Sequence, residues 1–334
     1  MNIDSHGHLI VPEILRTERH DEAWRPVVTR QPNGWQMVSN DRFANGPVPR
    51  EIVDPERILA HMDAVNVDVM VASPPPFLFF WYLDGPTCLK ACSIQNDGLA
   101  KVVARYPKRF VGMGIVPLQD TELAITEADR LATELKMPAI EVPSHINGKY
   151  LGDRRLWPFW ETVQDLDLLV FVHPDEPYNL GVELLDRYYL HNLLGNPIDT
   201  ARCIADVVFS GLLEAYPRLK FLFAHGGGAL PYIRGRWDHG WNMRTEPKVD
   251  TKRPPSESIQ LLHFDTVTHW DRALEFLVDT VGAHRVVMGS DYPFDMGSPD
   301  PVRFVRAVAG ISDLDKQRIG SENAIRLLKL DRPA

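Results

Sequence analysis

Leu168-Leu-Val-Phe-Val172 is an unbroken apolar run that stops at His173. A strand with no polar alternation is buried on both faces, as in a parallel sheet covered by helices. The same pattern recurs on either side of it. Upstream lie Val67-Asp-Val-Met-Val-Ala72, Phe110-Val-Gly-Met-Gly-Ile-Val116 and Ala139-Ile-Glu-Val142. Downstream lie Leu219-Lys-Phe-Leu-Phe-Ala224, a weaker run over 259–265, and Arg285-Val-Val-Met-Gly-Ser290. The opening Met-Asn-Ile-Asp-Ser-His-Gly-His-Leu, residues 1–9, supplies the first strand. Helical periods fall between them, at about 54–65, 86–105, 122–135, 157–166, 199–215 and 269–281. Two more close the chain, near 301–308 and 314–328. Asp54-Pro55 has an N-cap followed by proline at the first helical position. Eight strands alternating with helices predict an α/β fold, the (β/α)8 TIM barrel, whose core takes roughly 250 residues. An open doubly wound sheet is disfavoured, because no glycine-rich dinucleotide turn follows the first strand.

The remaining length is assigned to two insertions, about 10–53 and 175–197, on one domain spanning 1–334. The first is rich in Pro, Gly, Asn and Trp and is expected to hold short strands or loops. Pro74 to Tyr82 is too broken by proline for a helix or a buried strand. Its aromatics are expected to pack on the barrel rim, or else to form a substrate-pocket wall or a subunit contact.

Polar residues fall at one edge of this sheet. His6 and His8 end the first strand, His173 the fifth, His225 the sixth and Asp291 the eighth. Residues i and i+2 of a strand point to the same side, so His6 and His8 share one space. In this barrel the C-terminal strand ends converge on one mouth, where chemistry is placed. Imidazoles and a carboxylate meeting there are the donor set of a divalent metal site. His20, His61, His145, His191, His239, His263, His269 and His284 lack that placement and read mostly as surface or core residues. His191, in the second insertion, is within reach of the mouth.

The totals agree with an enzyme of small molecules. The chain has 334 residues, 44% of them hydrophobic, and a formal charge of −9, with no basic run to suit nucleic acid or an anionic membrane. No apolar stretch approaches the 18 or so residues of a membrane span, and the start lacks a secretory pattern. Cys88, Cys92 and Cys203 show no metal or redox spacing, as expected of thiols in a reducing, cytoplasmic setting.

His6-Gly7-His8, His173-Pro174, His225-Gly-Gly-Gly228 and Gly289-Ser-Asp-Tyr-Pro-Phe294 together resemble the amidohydrolase superfamily. More narrowly they resemble its branch around aminocarboxymuconate-semialdehyde decarboxylase. Asp54-Pro55, Met62-Asp63, Pro117-Leu-Gln-Asp120 and Arg253-Pro-Pro-Ser-Glu257 extend the likeness over essentially the whole chain. The resemblance implies His6, His8, His173 and Asp291 as metal ligands and His225 beside them as acid/base. It implies one divalent ion, zinc ahead of manganese, because the fourth strand offers Glu141-Val-Pro-Ser-His145 and no bridging lysine. It implies no organic cofactor, and a homodimer in which Arg236 reaches the neighbouring site. Arg42 or Arg50 would bind the substrate carboxylate from within the subunit.

A divalent cation lowers the pKa of bound water from 15.7 towards about 7, and Asp291 is expected to be catalytic too, orienting that water as well as binding the metal. The expected activity is decarboxylation of an unsaturated or aromatic carboxylic acid in catabolism. Hydrolysis or hydration of a ring-cleavage product is the alternative. Where the branch has tryptophan after His-Pro, this chain has Asp175-Glu176-Pro177. Asn192 and Gly195-Asn-Pro-Ile-Asp199 also depart from it, which puts the particular substrate in doubt.

Overall fold

The computed structural model describes residues 1–17, 22–32, 35–175, 185 and 187–330. Eight parallel strands run in chain order around one sheet. They are β1 (Ile3–His8), β2 (Val69–Ser73), β3 (Phe110–Ile115), β4 (Ala139–Pro143), β5 (Leu169–His173), β6 (Lys220–Phe223), β7 (His263–Asp265) and β8 (Val286–Val287). The sheet closes on itself through Ser5 N–H to Met288 O at 2.8 Å and His8 N–H to Tyr292 O at 2.7 Å. The TIM barrel expected from the strand and helix pattern is therefore present.

Helices α1 (Pro55–Ala64), α2 (Gly85–Arg105), α3 (Thr121–Thr133), α4 (Trp157–Asp165), α5 (Asn196–Phe209), α6 (Leu230–Met243), α7 (Asp271–Val281) and α8 (Pro301–Ala307) return the chain between strands and after the last. Asp54 caps α1 by accepting the amides of Glu56 and Arg57, and Asp120 caps α3 through Leu123. Outward strand residues such as Val170 and Val172 pack under the helices. Inward residues Ile3, Val71, Met113, Ala139, Leu169, Leu222 and Val287 fill the N-terminal half of the barrel. Ala324, Leu327 and Leu328 of the closing helix stop that end. At about 25 cal/mol per Å2 of apolar surface, this filled interior is the main stabilising term.

Three expectations shift. The seventh strand begins at His263, because Pro255–Ile259 is helical with proline in its first turn. The eighth is short because the backbone of Gly289 pairs with the Thr266 hydroxyl, its amide donating at 3.1 Å and its carbonyl accepting at 3.2 Å, rather than with the backbone of β7. Helix α5 starts at Asn196, after a π-turn over His191–Gly195, so the second insertion ends sooner than expected. Residues 176–184 and 186 of that insertion lie outside the described residues.

The first insertion forms a three-stranded antiparallel sheet, Val27–Arg30, Gln36–Ser39 and Ala44–Val48. Over 74–82 the packing role appears. Phe79 and Phe80 are buried in the core, while the Trp81 indole donates to Asp175 Oδ2 at 2.9 Å.

Candidate active site

Beyond the apolar plug, the inward positions turn polar within one pleat. His6, His8, His173 and Asp291 are buried, and His225 is partly so. His6 Nε2 and His8 Nε2 lie 3.2 Å apart, so the two first-strand imidazoles do share one space. Asp291 stands at the centre. Its Oδ1 is 3.3 Å from His6 Nε2, 3.2 Å from His8 Nε2 and 3.9 Å from His173 Nε2. Its Oδ2 is turned to His225 Nε2, at 3.3 Å.

Special backbone conformations place the last two groups. Asp291 has φ +60° and His225 φ +55°, left-handed values that cost on the order of 1–3 kcal/mol in non-glycine residues. The turn after His225 continues at positive φ through Gly226, Gly227 and Gly228, which explains that glycine run. A Cβ on Gly226 would also stand 2.8 Å from Thr268 Cγ2.

The other ring nitrogens are held. His6 Nδ1 meets Asp265 Oδ2 at 2.7 Å and His173 Nδ1 meets Pro174 O at 2.6 Å, contacts that leave each Nε2 free as a donor. Ser73 Oγ lies 3.5 Å from His8 Nδ1. Burial and the neighbouring His225 and His6 imidazoles push His173 well below the usual histidine range. Burial works to raise Asp291, but the His6, His225 and His8 imidazoles hold it well below ordinary carboxylates. Burial works to lower His6 as well, yet Asp291 and Asp265 raise it to about 10.

These residues fit a cation. His173 Nε2 and Asp291 Oδ1 are buried without a directed hydrogen bond. Leaving such atoms unmet costs about 1–3 kcal/mol each. Imidazole nitrogens and a carboxylate oxygen are the donors a zinc- or manganese-like ion takes. Donors held about 2.1 Å from one tetrahedral ion are themselves about 3.4 Å apart, close to the spacings around Asp291 Oδ1. One donor atom each from His6, His173, His225 and Asp291 also falls within 4.8 Å of the others, so His225 stands at the edge of the same cluster.

A cavity of about 310 Å3 opens beside His225 and Asp291. Asn192, Asn196, Thr268, His269 and Met296 help to line it. His269 is among the histidines that the sequence leaves as surface or core residues. It is exposed, but on the cavity wall, where the turn after β7 carries it. His191 instead faces solvent against Tyr189, with ring centroids 4.5 Å apart. The three arginines are not among the described residues lining this cavity. Arg42 and Arg50 are exposed in the first insertion, with the Arg42 guanidinium 5.6 Å from the centre of the Tyr82 ring. Arg236 is exposed on α6.

Three buried acids, Asp265, Asp4 and Glu141, join the site beyond the residues expected from sequence. Asp265 ends β7, at the same edge as the histidines, and the strand-end rule applied elsewhere would have found it. Asp4 holds the Ser290 backbone and hydroxyl. Glu141 is a charge inside an otherwise apolar strand, and that mismatch was its signal. Burial raises its pKa to about 8.

Known proteins match this chain along nearly its whole length. A family model described as Amidohydrolase matches residues 3–330. A 2-amino-3-carboxymuconate-6-semialdehyde decarboxylase of Dictyostelium discoideum is 36% identical over 279 residues, covering 83% of this chain and 77% of that one. A gamma-resorcylate decarboxylase of Polaromonas is 32% identical, covering 83% of this chain and 88% of that one. A crystal structure of a Polaromonas dihydroxybenzoic acid decarboxylase, with bound manganese and the inhibitor 2-nitroresorcinol, superposes with a TM-score of 0.83. It is 26% identical and covers 99% of this chain and 98% of that one. The chain therefore belongs to the amidohydrolase family, in the branch that contains the aminocarboxymuconate-semialdehyde and resorcylate decarboxylases.

Proposed function

We propose that this protein is a metal-dependent carboxy-lyase that decarboxylates an unsaturated or aromatic carboxylic acid without an organic cofactor. His6, His8, His173 and Asp291 are assigned as ligands of one divalent ion, zinc or manganese, and His225 as the acid/base. The observation that carries the assignment is the division of Asp291. One oxygen faces His6, His8 and His173 and the other faces His225.

When bound, the ion supplies Lewis acidity that draws electron density from a conjugated acid. His225, at the cavity wall, gives a proton to the carbon bearing the carboxylate. Asp291 Oδ2 aligns that imidazole. The bond from this carbon to the carboxylate then breaks, carbon dioxide leaves, and the bonding electrons restore the conjugated system. His225 regains its proton from solvent, so one proton is consumed per carbon dioxide formed. The cavity wall, with its Asn192 and Asn196 amides, suits a flat substrate bearing polar substituents.

The test is turnover in water labelled with heavy oxygen, across dicarboxylates, dihydroxybenzoates and semialdehydes. Carbon dioxide release with no label entering the remaining product is expected. Label in that product would favour hydration or hydrolysis and reject the lyase.

The assembly belongs to the same proposal. Tyr232, Arg236 and Met243 follow one another at helical spacing on α6, and all three are exposed, Tyr232 and Met243 to 86% and 68%. Such a stripe suits contact with a second copy, and Arg236 would then serve that copy's substrate carboxylate. Mixing Arg236→Ala subunits with His225→Ala subunits should recover part of the activity in hybrid dimers. No recovery in isolated hybrids would mean that each site is self-contained.

A further inference from the structure

The Asp265 carboxylate holds groups from two different strands. Its Oδ2 meets His6 Nδ1 at 2.7 Å, on β1. Its Oδ1 accepts the Gly226 amide at 2.8 Å, in the turn that carries His225 after β6. The same oxygen accepts the Val267 amide at 3.1 Å. Asp265 is fully buried.

We infer that Asp265 is a positioning residue that couples metal binding to acid/base geometry, by fixing the His6 tautomer with one oxygen and the His225 turn with the other. The inference rests on the metal reading above. A neutral imidazole carries one ring proton, and an acceptor at Nδ1 keeps that proton there, leaving the Nε2 lone pair for an ion. The Gly226 amide is the first donor after His225, whose backbone is held at φ +55°. Asp265 thus sets the separation between a ligand and the proton donor without touching the substrate.

The two oxygens make separable predictions. In Asp265→Asn the amide oxygen can still take the Gly226 and Val267 protons, but its NH2 group then faces His6 Nδ1. That donor forces the His6 proton onto Nε2, where it blocks the ion. The reverse orientation sets NH2 against two backbone donors. Metal affinity, measured by competition with a chromophoric chelator, should therefore fall on the order of 10–100-fold. In a His6→Ala background the same change should cost nothing further. Saturating metal should restore most of kcat to Asp265→Asn but not to Asp265→Ala, which has also lost the anchor of the turn.

A direct measurement needs no variant. Nitrogen-15 NMR of the zinc-loaded, histidine-labelled wild-type protein should show His6 protonated at Nδ1. Wild-type metal affinity in Asp265→Asn, or an equal loss with and without His6, would overturn the inference, as would an unprotonated His6 Nδ1. Failure of the wild-type protein to bind zinc or manganese would remove the metal reading and this inference together.

Discussion

The two ends of the same strands do different work. Along β5, Leu169 and Phe171 point into the apolar plug, and His173, one pleat further, points into the site. Along β1, Ile3 lies in the plug while His6 and His8 surround Asp291. The N-terminal half is closed by hydrophobic packing and the Asn323–Leu328 helix. The C-terminal half gathers imidazoles and carboxylates whose charges and orphaned atoms cost stability until an ion meets them. Stability and chemistry are thus stacked along the barrel axis, and each can be perturbed with limited effect on the other.

Leu169→Ala should break the lower half. Loss of a fully buried leucine costs about 2–5 kcal/mol, read as a lower denaturant midpoint. Metal affinity and kcat at low temperature should stay near wild type. A comparable loss of metal affinity would show that the two halves are not independent.

Glu141→Gln sharpens the comparison from the upper half, with a smaller effect. Glu141 is raised by burial to about 8 against an ordinary value of 4.5. Between those values the unfolded chain has released a proton that the folded chain keeps. Stability of the metal-free protein therefore falls as pH rises through that window. The glutamine variant carries no such charge, so its melting temperature should exceed that of wild type at pH 8 and approach it near pH 5. Parallel pH profiles for the two proteins would remove Glu141 as a source of strain.

The sequence revealed these halves unequally. The first six strands were legible to within a residue or two, because runs such as Leu168 to Val172 carry the double burial of a parallel sheet in their composition. The seventh was overdrawn, since apolar residues 259–262 read alike in a helix end and a strand. The five mouth residues were legible because each sits at the end of such a run. Asp265 was legible by the same rule, at the end of the run 259–265, whereas His269 was not, because it lies four residues past β7 in a turn. The substrate side was least legible. Arg42, Arg50 and Arg236 were drawn from the family likeness, and whether an arginine reaches a site depends on loops and on a second subunit rather than on a local pattern.

The most direct test is the metal content and turnover of His225→Ala beside Asp291→Ala, each purified with ample zinc or manganese. Asp291→Ala should lose both the ion and the activity. His225→Ala should keep close to one ion per chain while kcat falls on the order of 10^2–10^4-fold, the usual contribution of a general acid. If His225→Ala also emerges without metal, His225 is a ligand, and the division of Asp291 between three metal-binding imidazoles and one proton donor is wrong.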